Sequence, residues 1–219
     1  MEKYFLLFMV YSILGWTIEV LGKLITKGKF INRGFLIGPY CPIYGTGALL
    51  MTLLLNKYVN DKMVLFILAI VICSILEYVT SYVMEKLFHI RWWDYSNYKF
   101  NINGRICLET MILFGILSVL ALCYINPLLF ERFSKLPPHL ITFSTTVLGI
   151  LYIIDNIMSF RIIFGLNDIT ENVKGDSTEK ITAQVKKIII EGNKGLYSRL
   201  VMAFPRFQIL EKIKKNLKN

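Results

Sequence analysis

Long apolar runs separated by short polar segments fill the first three quarters of the chain. A helix needs roughly 20 apolar residues to cross the hydrocarbon core of a bilayer. Five runs have about this length, and the pattern predicts a helical span in each. They cover Tyr4 to Gly22, Gly34 to Asn56, Met63 to Met84, Ile106 to Phe130 and Leu140 to Phe160. The predicted fold is therefore an all-α, polytopic membrane helical bundle of about five transmembrane helices.

Composition supports a membrane location. The chain of 219 residues is 55% hydrophobic and only 18% charged, with a mean hydropathy of +0.53. A soluble domain of this size would need more charge on its surface. The first apolar run lacks a basic leader and an Ala-x-Ala exit, so we expect it to remain as a span and not to be cleaved as a signal peptide.

The last quarter of the chain has a different character. After Gly165 hydrophobicity falls and charge rises, which predicts a transmembrane domain over 1–165 and a cytoplasmic tail over 166–219. A capping box of Asp176 and Glu179 precedes apolar residues at helical spacing, so the tail is predicted to be helical, basic and amphipathic. Its final lysines suit an anionic inner leaflet, at about 1 kcal/mol each. Docking of a partner is the competing use.

The basic residues also predict an orientation. Twenty of the 25 Lys and Arg residues fall in the first loop, the third loop and the tail, which lie on one side of a five-span bundle. Lysine and arginine favour the cytoplasmic side of a membrane. The predicted topology places the N-terminus outside and the C-terminus in the cytoplasm.

Two stretches of sequence resemble each other. "SILGWTIEVLGKL" from Ser12 is similar to "SILEYVTSYVMEKL" from Ser74, and an Ile-Asn pair follows each before the next span. Because the first and third spans run in the same direction, the similarity predicts either a parallel duplication of a helical hairpin or a chance match of the Ile and Leu residues common in membrane helices.

Ionisable residues inside the spans suggest a polar site. Acidic residues at the centre of a membrane helix cost about 2.5 to 3.5 kcal/mol on insertion scales, so they seldom face lipid. All the acidic candidates fall in the cytoplasmic half, where two arginines at the span entries are expected to pair with them. The predicted ligand-binding site comprises Glu19, Arg33, Glu77, Arg105, Glu109 and Asp155. A network that only holds the helices together is the alternative.

Two loop motifs accompany these charges. In "RGFLIGPYCPIYGTG" the prolines and glycines predict either a broken helix whose free N–H groups bind an anion, or a proline-containing first turn with small residues for packing. In "WWDYSNYKFNINGRICLE" the paired tryptophans are typical of the membrane interface, and the chain is expected to fold back and place Arg105 against the carboxylates. The motif residues are Gly38, Pro39, Tyr40, Pro42, Trp92, Trp93, Asp94 and Asn103.

Several kinds of chemistry have no pattern to support them. The four cysteines form no Cys-x-x-Cys motif and only two histidines are present, so neither a metal site nor a nucleophilic catalytic site is predicted. The sequence contains no Gly-x-x-x-x-Gly-Lys-Ser/Thr phosphate loop for ATP. We predict no catalytic residues, no cofactor and no nucleic-acid partner; the predicted partners are the lipid bilayer and either an ATPase subunit or a second copy of the chain.

The combination of "GPYCPIYG", "WWDYS", "NINGRICLE" and a basic tail with "FPRF" resembles the ABC-transporter type IV permease family, also called CmpB-like. The resemblance extends to about residue 165 and implies a bacterial inner-membrane protein with a role in transport. It supplies no catalytic residues. The leading hypothesis is a permease-like subunit of unknown substrate; a membrane-embedded enzyme or binder of lipid headgroups or cell-envelope precursors, and a membrane scaffold, are the alternatives.

Overall fold

The computed structural model describes residues 1–28, 32, 34, 36–88 and 91–172. Within this part, six α-helices and one two-stranded hairpin form an all-α bundle, which confirms the predicted fold class. The helices are α1 (Glu2–Lys27), α2 (Pro42–Leu55), α3 (Lys62–Phe88), α4 (Leu108–Leu120), α5 (Asn126–Lys135) and α6 (Pro138–Asn172), and the strands are β1 (Asn101–Ile102) and β2 (Ile106–Cys107).

Four helical segments of the described chain are long and apolar enough to cross a membrane. They are Glu2–Thr26, Lys62–Phe88, Leu108–Lys135 and Pro138–Arg161. Each overlaps one of the predicted spans, and the chain is a membrane protein. The third segment joins α4 to α5 through a π-helical turn, Ala121–Ile125.

The second predicted span is shorter than expected. The sequence predicts helix from Gly34 to Asn56, but α2 begins only at Pro42 and has 14 residues, a rise of about 21 Å. Pro42 lies in the first turn, where a backbone N–H has no partner within the helix, so its missing N–H costs no hydrogen bond. Cys41 before it is extended, with φ −115° and ψ 99°, and its N–H donates to the Ser12 carbonyl at 2.8 Å. The motif thus forms a proline-containing first turn that follows a non-helical segment docked on α1.

Small residues allow α1 and α2 to pack closely. A methyl group at Gly45 would overlap the Phe8 carbonyl oxygen and the Ser12 hydroxyl of α1. Gly15 of α1 likewise accommodates the ring of Tyr44 from α2. Small residues at membrane helix interfaces bring backbones close together, and here they set the distance between the two helices.

A neutral polar network ties three helices together away from the loop that joins α3 to α4. The buried amide of Asn126 donates to the Thr52 hydroxyl at 2.8 Å and accepts from the Tyr11 hydroxyl at 2.7 Å. Asn126 directly follows the π-helical turn and precedes Pro127, whose ring cannot fit a regular α-helical ladder. All three side chains have partners, so this network stabilises the bundle without leaving a buried polar group unpaired.

The two halves of the predicted duplication have matching elements. A long helix of 26 or 27 residues, α1 or α3, is followed by a loop and then by a helix of 14 or 13 residues, α2 or α4. An extended cysteine, Cys41 or Cys107, precedes each of the shorter helices. These correspondences agree with a repeated hairpin.

Helix α6 continues through the boundary predicted at residue 165 as far as Asn172, the last described residue. It packs on α1, where Ile141 joins Leu6 and Leu7 in the core, and its Phe160 ring lies 5.7 Å from that of Phe88 in α3. Of the predicted tail, residues 173–219 lie outside the described part, so the division into two domains stays a prediction.

The close approach of α1 and α2 leads to a test with two neighbouring glycines. We expect Gly45→Ala to lower the free energy of unfolding by roughly 1–3 kcal/mol, because the added methyl overlaps backbone and must push the helices apart. In Gly47→Ala the new methyl would lie 3.5 Å from Leu76 Cδ2, an ordinary contact. Gly47→Ala should therefore match or slightly exceed the wild type in thermal unfolding measured in detergent. Equal destabilisation by both variants would contradict this account of the packing.

Candidate functional site

The loop between α3 and α4 is built as a rigid platform. Strands β1 and β2 pair antiparallel, and the turn between them closes with the Arg105 N–H donating to the Ile102 carbonyl at 3.0 Å. The two central residues of this turn, Asn103 and Gly104, have positive φ of 53° and 66°. Asn and Gly tolerate this left-handed conformation best, which explains the Asn-Gly pair in the sequence.

Gly104 has a second reason to be glycine. A methyl group there would lie 2.8 Å from Asp94 Oδ1 and would overlap the Ser96 hydroxyl. The Gly104 carbonyl accepts from the Tyr95 N–H at 2.8 Å, and its own N–H donates to Asn101 Oδ1 at 2.9 Å. The two sides of the loop are therefore fastened together around this residue.

The platform positions a buried arginine against α3. Arg105 is 9% exposed, and its Nη2 lies 2.8 Å from Glu85 Oε2 while its Nη1 donates to the Ser81 hydroxyl at 3.1 Å. The guanidinium also lies over the rings of Tyr78 and Tyr82, 5.7 and 5.4 Å from their centroids. A planar guanidinium can stack and bind a carboxylate at once, which an ammonium group does less well.

The other motif residues of this loop brace the arginine. Trp93 Nε1 donates to the Arg105 carbonyl at 2.9 Å, and Asn103 Nδ2 donates to the Tyr78 hydroxyl at 2.9 Å. Arg91 connects Asp94 to Glu85, with Nη1 3.6 Å from Asp94 Oδ1 and Nε 3.2 Å from Glu85 Oε2. Trp92 is buried and packs edge-on against a phenylalanine ring of α3. Interfacial anchoring by the tryptophans stays a prediction.

Deeper in the bundle, two glutamates lie between α1 and α3. Tyr95 donates its hydroxyl to Glu77 Oε1 at 3.1 Å, and Tyr44 donates to Glu19 Oε1 at 2.8 Å. Burial raises the pKa of the Tyr95 phenol, and the negative charges of Glu77 and then Glu19 raise it further. Tyr95 is therefore protonated at neutral pH and available as a hydrogen-bond donor.

Asp155 on α6 occupies a separate cradle. The N–H groups of Ile37 and Gly38 donate to its two carboxylate oxygens at 2.8 and 2.6 Å. Tyr40 donates its hydroxyl at 2.7 Å and Ser159 at 2.8 Å. Burial, followed by the hydrogen bond to Asp155, raises the pKa of Tyr40. The backbone groups that the sequence predicts as an anion site thus bind the chain's own carboxylate, and Pro39 keeps this segment out of a helix.

The structure divides the predicted single site into parts. Glu19 interacts electrostatically with Glu77, Arg105 pairs with Glu85, and Asp155 instead binds the backbone of 37–38 and the Tyr40 hydroxyl. The prediction that Glu109 faces the bundle interior is wrong, because its side chain is exposed. Position 109 lies half a helical circumference from Ser118, which is on the buried face of α4. Arg33 lies outside the described residues.

The predicted site leaves out several partners that the structure supplies. Spacing at steps of three and four along α3 predicts that Glu85 shares a polar face with Glu77, but not that Glu85 pairs with Arg105. The tyrosine partners have no such spacing in the sequence. Only the structure shows that the Tyr44 ring lies against Gly15 of α1. Nothing in the local sequence indicates that Tyr95 reaches Glu77.

Comparison with known proteins adds one match. A family model described as "Putative ABC-transporter type IV" covers residues 6–160, which includes all of the described helices except the start of α1 and the end of α6. The chain belongs to this family. Membership in the ABC-transporter type IV family confirms the resemblance carried by the two loop motifs, and it supports a transporter-associated role in a membrane. No curated protein and no solved structure matches the chain.

The cradle around Asp155 leads to a stability prediction. In Asp155→Asn one carboxylate oxygen becomes an amide nitrogen that faces either the Ile37 side or the Gly38 side of the cradle. At least one buried backbone donor then loses its acceptor, which should cost about 1–3 kcal/mol of unfolding free energy. Thermal unfolding of the purified variant in detergent measures this loss.

Asn156→Ala is the matched control, because Asn156 donates only to the Tyr152 carbonyl within the same helix. We expect this variant to unfold close to the wild type. An Asp155→Asn protein as stable as Asn156→Ala would show that the cradle does not hold the segment against α6.

Proposed function

We propose that this chain is a permease-like membrane subunit of a transporter and that a separate ATPase supplies its energy. The observation that carries the proposal is the Arg105 platform, a rigid charged loop at one end of the bundle beside the buried Glu77 and the half-buried Glu19. A membrane protein keeps charged groups among its helices only where they are paired or serve a pathway. Family membership supports the same role.

The platform is well suited to receive force from a partner. It joins α3 to α4, and its turn, its strands and its arginine are all hydrogen-bonded to one another or to α3. A push on such a loop moves both helices together because little of it can deform. The given sequence has no phosphate loop, which is why the proposal assigns ATP hydrolysis to a separate subunit.

The proposed orientation puts this platform in the cytoplasm, where an ATPase is found. It rests on the excess of Lys and Arg in the first loop, the third loop and the tail. The outer end would then carry the turn between α2 and α3 and the turn between α5 and α6. A second copy of the chain is proposed as the alternative partner, because a bundle with so few spans needs another subunit to enclose a pathway.

Partner capture tests the proposed function. We expect the tagged full-length chain, purified from its native membrane in mild detergent, to bring a stoichiometric subunit that hydrolyses ATP. Arg105→Gln should lose this subunit, because the platform loses its tie to Glu85 and Ser81. Arg132→Gln, exposed at the other end of the bundle, should retain it.

Two results would contradict the permease proposal. One is a wild-type preparation without any ATP-hydrolysing partner. The other is a phospholipid or envelope precursor that co-purifies with the wild type and is lost in Arg105→Gln, which would make the charged platform a headgroup site.

The orientation has a test of its own, with two exposed asparagines. Asn60 lies between α2 and α3, and Asn97 lies in the platform. A membrane-impermeant maleimide should label Asn60→Cys in intact cells and Asn97→Cys only after lysis. The parent chain gives the background, since its four cysteines are buried or half-buried. Labelling in the reverse order would invert the topology.

A further inference from the structure

Glu77 is the one buried carboxylate of the described chain with an unpaired oxygen. Its side chain lies on α3 within the bundle and is 6% exposed. Oε1 accepts from Tyr95, but Oε2 is inaccessible to solvent and has no hydrogen-bond partner among the described residues. A buried carboxylate oxygen without a donor or a cation is strongly unfavourable, particularly in a membrane.

A second unpaired oxygen lies on the same face of the helix. Ser74 is one turn before Glu77 and 8% exposed, and its hydroxyl also has no partner within the described part of the protein. Residues three apart on a helix are neighbours, so the two unpaired oxygens belong to the same region. Two buried oxygens in one region are thus available to the same ligand.

The charge around Glu77 is predominantly negative. Glu19 of α1 interacts electrostatically with Glu77, while the thiol of Cys73 near Glu77 is neutral. Tyr44 from α2 and Tyr95 from the platform contribute only neutral hydroxyls. Arg105 of the platform binds Ser81 and Glu85 and not Glu77, and Lys23 follows Glu19 by one turn along α1.

Two neighbouring carboxylates in a low-dielectric interior cannot both remain charged without a proton or a cation between them. The two tyrosines each hold one oxygen of one glutamate, which leaves Glu77 Oε2 directed to another ligand. Carboxylate and hydroxyl oxygens are hard ligands that suit a proton or a small hard cation.

We propose that Glu77, Ser74 and Glu19 form a binding site for a small monovalent cation, a proton or a sodium ion, within the helical bundle. Such a site would make the state of the bundle depend on the ion as well as on any ATPase. The inference stands apart from the proposed function, because a chain that recruits no ATPase can still bind an ion here.

Infrared difference spectroscopy on the full-length protein in nanodiscs tests the site. In sodium-free buffer, a pH step should produce a carboxylic-acid C=O band in the wild type that Glu77→Gln lacks. Glu109→Gln is the matched control, since Glu109 lies on the exposed side of α4 and its removal should leave that band unchanged. Sodium chloride is then compared with choline chloride at equal ionic strength.

The sodium comparison separates the two ions. A sodium-dependent shift of the band's pH midpoint in the wild type identifies a sodium site, and a midpoint insensitive to sodium identifies a proton site. Either result supports the proposal. A spectrum in which Glu77→Gln retains the wild-type band, with no difference between sodium and choline, would overturn it.

A second variant covers the case in which Glu77→Gln does not fold. Tyr95→Phe removes the hydroxyl that donates to the charged carboxylate, so proton affinity should rise by roughly tenfold and the midpoint should move to higher pH by about one unit. If Tyr95→Phe leaves the midpoint where it is in the wild type, Glu77 is not the titrating group and the proposal fails.

Discussion

Polar groups carried into the hydrocarbon region must find their partners inside the protein, because lipid offers none. This constraint decides how the helices of the chain meet. Asp155 of α6 fixes the segment before α2 by accepting from Ile37 and Gly38, and Asn126 fixes α1 and α2 to α5. In both cases a single side chain joins elements more than 70 residues apart in sequence. Apolar packing alone would not fix the positions of these helices, since lipid solvates an apolar helix surface as well as a neighbouring helix does.

Close packing makes these bonds geometrically attainable. Gly45 lets α2 approach the backbone of α1, and Gly15 makes room for the Tyr44 ring whose hydroxyl reaches Glu19. The glycine at 104 performs the equivalent task in the platform, where Tyr95 is held by a backbone bond and extends to Glu77. Glycines and tyrosines therefore act as pairs in this fold: a missing side chain on one element admits a long polar one from another.

How far the sequence predicts this structure depends on the range of the interaction. Apolar runs and the helical spacing of Ser74, Glu77, Ser81 and Glu85 are local, and they identify the spans and the polar face of α3. The position of α2 follows only partly, because the extended approach to Pro42 is stabilised by Asp155, 117 residues beyond Gly38. The helical spacing also identifies the polar face of α3, but it does not identify the helix or loop that packs against that face. For that reason the predicted single site separates in space, and Glu109, two residues after the buried Cys107, is exposed.

The two ends of the bundle differ in how completely their polar groups are paired. At the end proposed to face outward, Tyr11, Asn126 and Thr52 are neutral and mutually hydrogen-bonded, beside a core of Met51, Leu55 and Leu65. Toward the platform, charges are enclosed among the helices, and Glu77 and Ser74 retain unpaired oxygens. A neutral, satisfied network resists opening because each broken bond exposes a polar group to lipid. Separating the helices at the charged end costs less free energy, since water entering there would hydrate Glu77. Access to the interior should therefore begin at the platform, on the side where the chain is proposed to meet its ATPase.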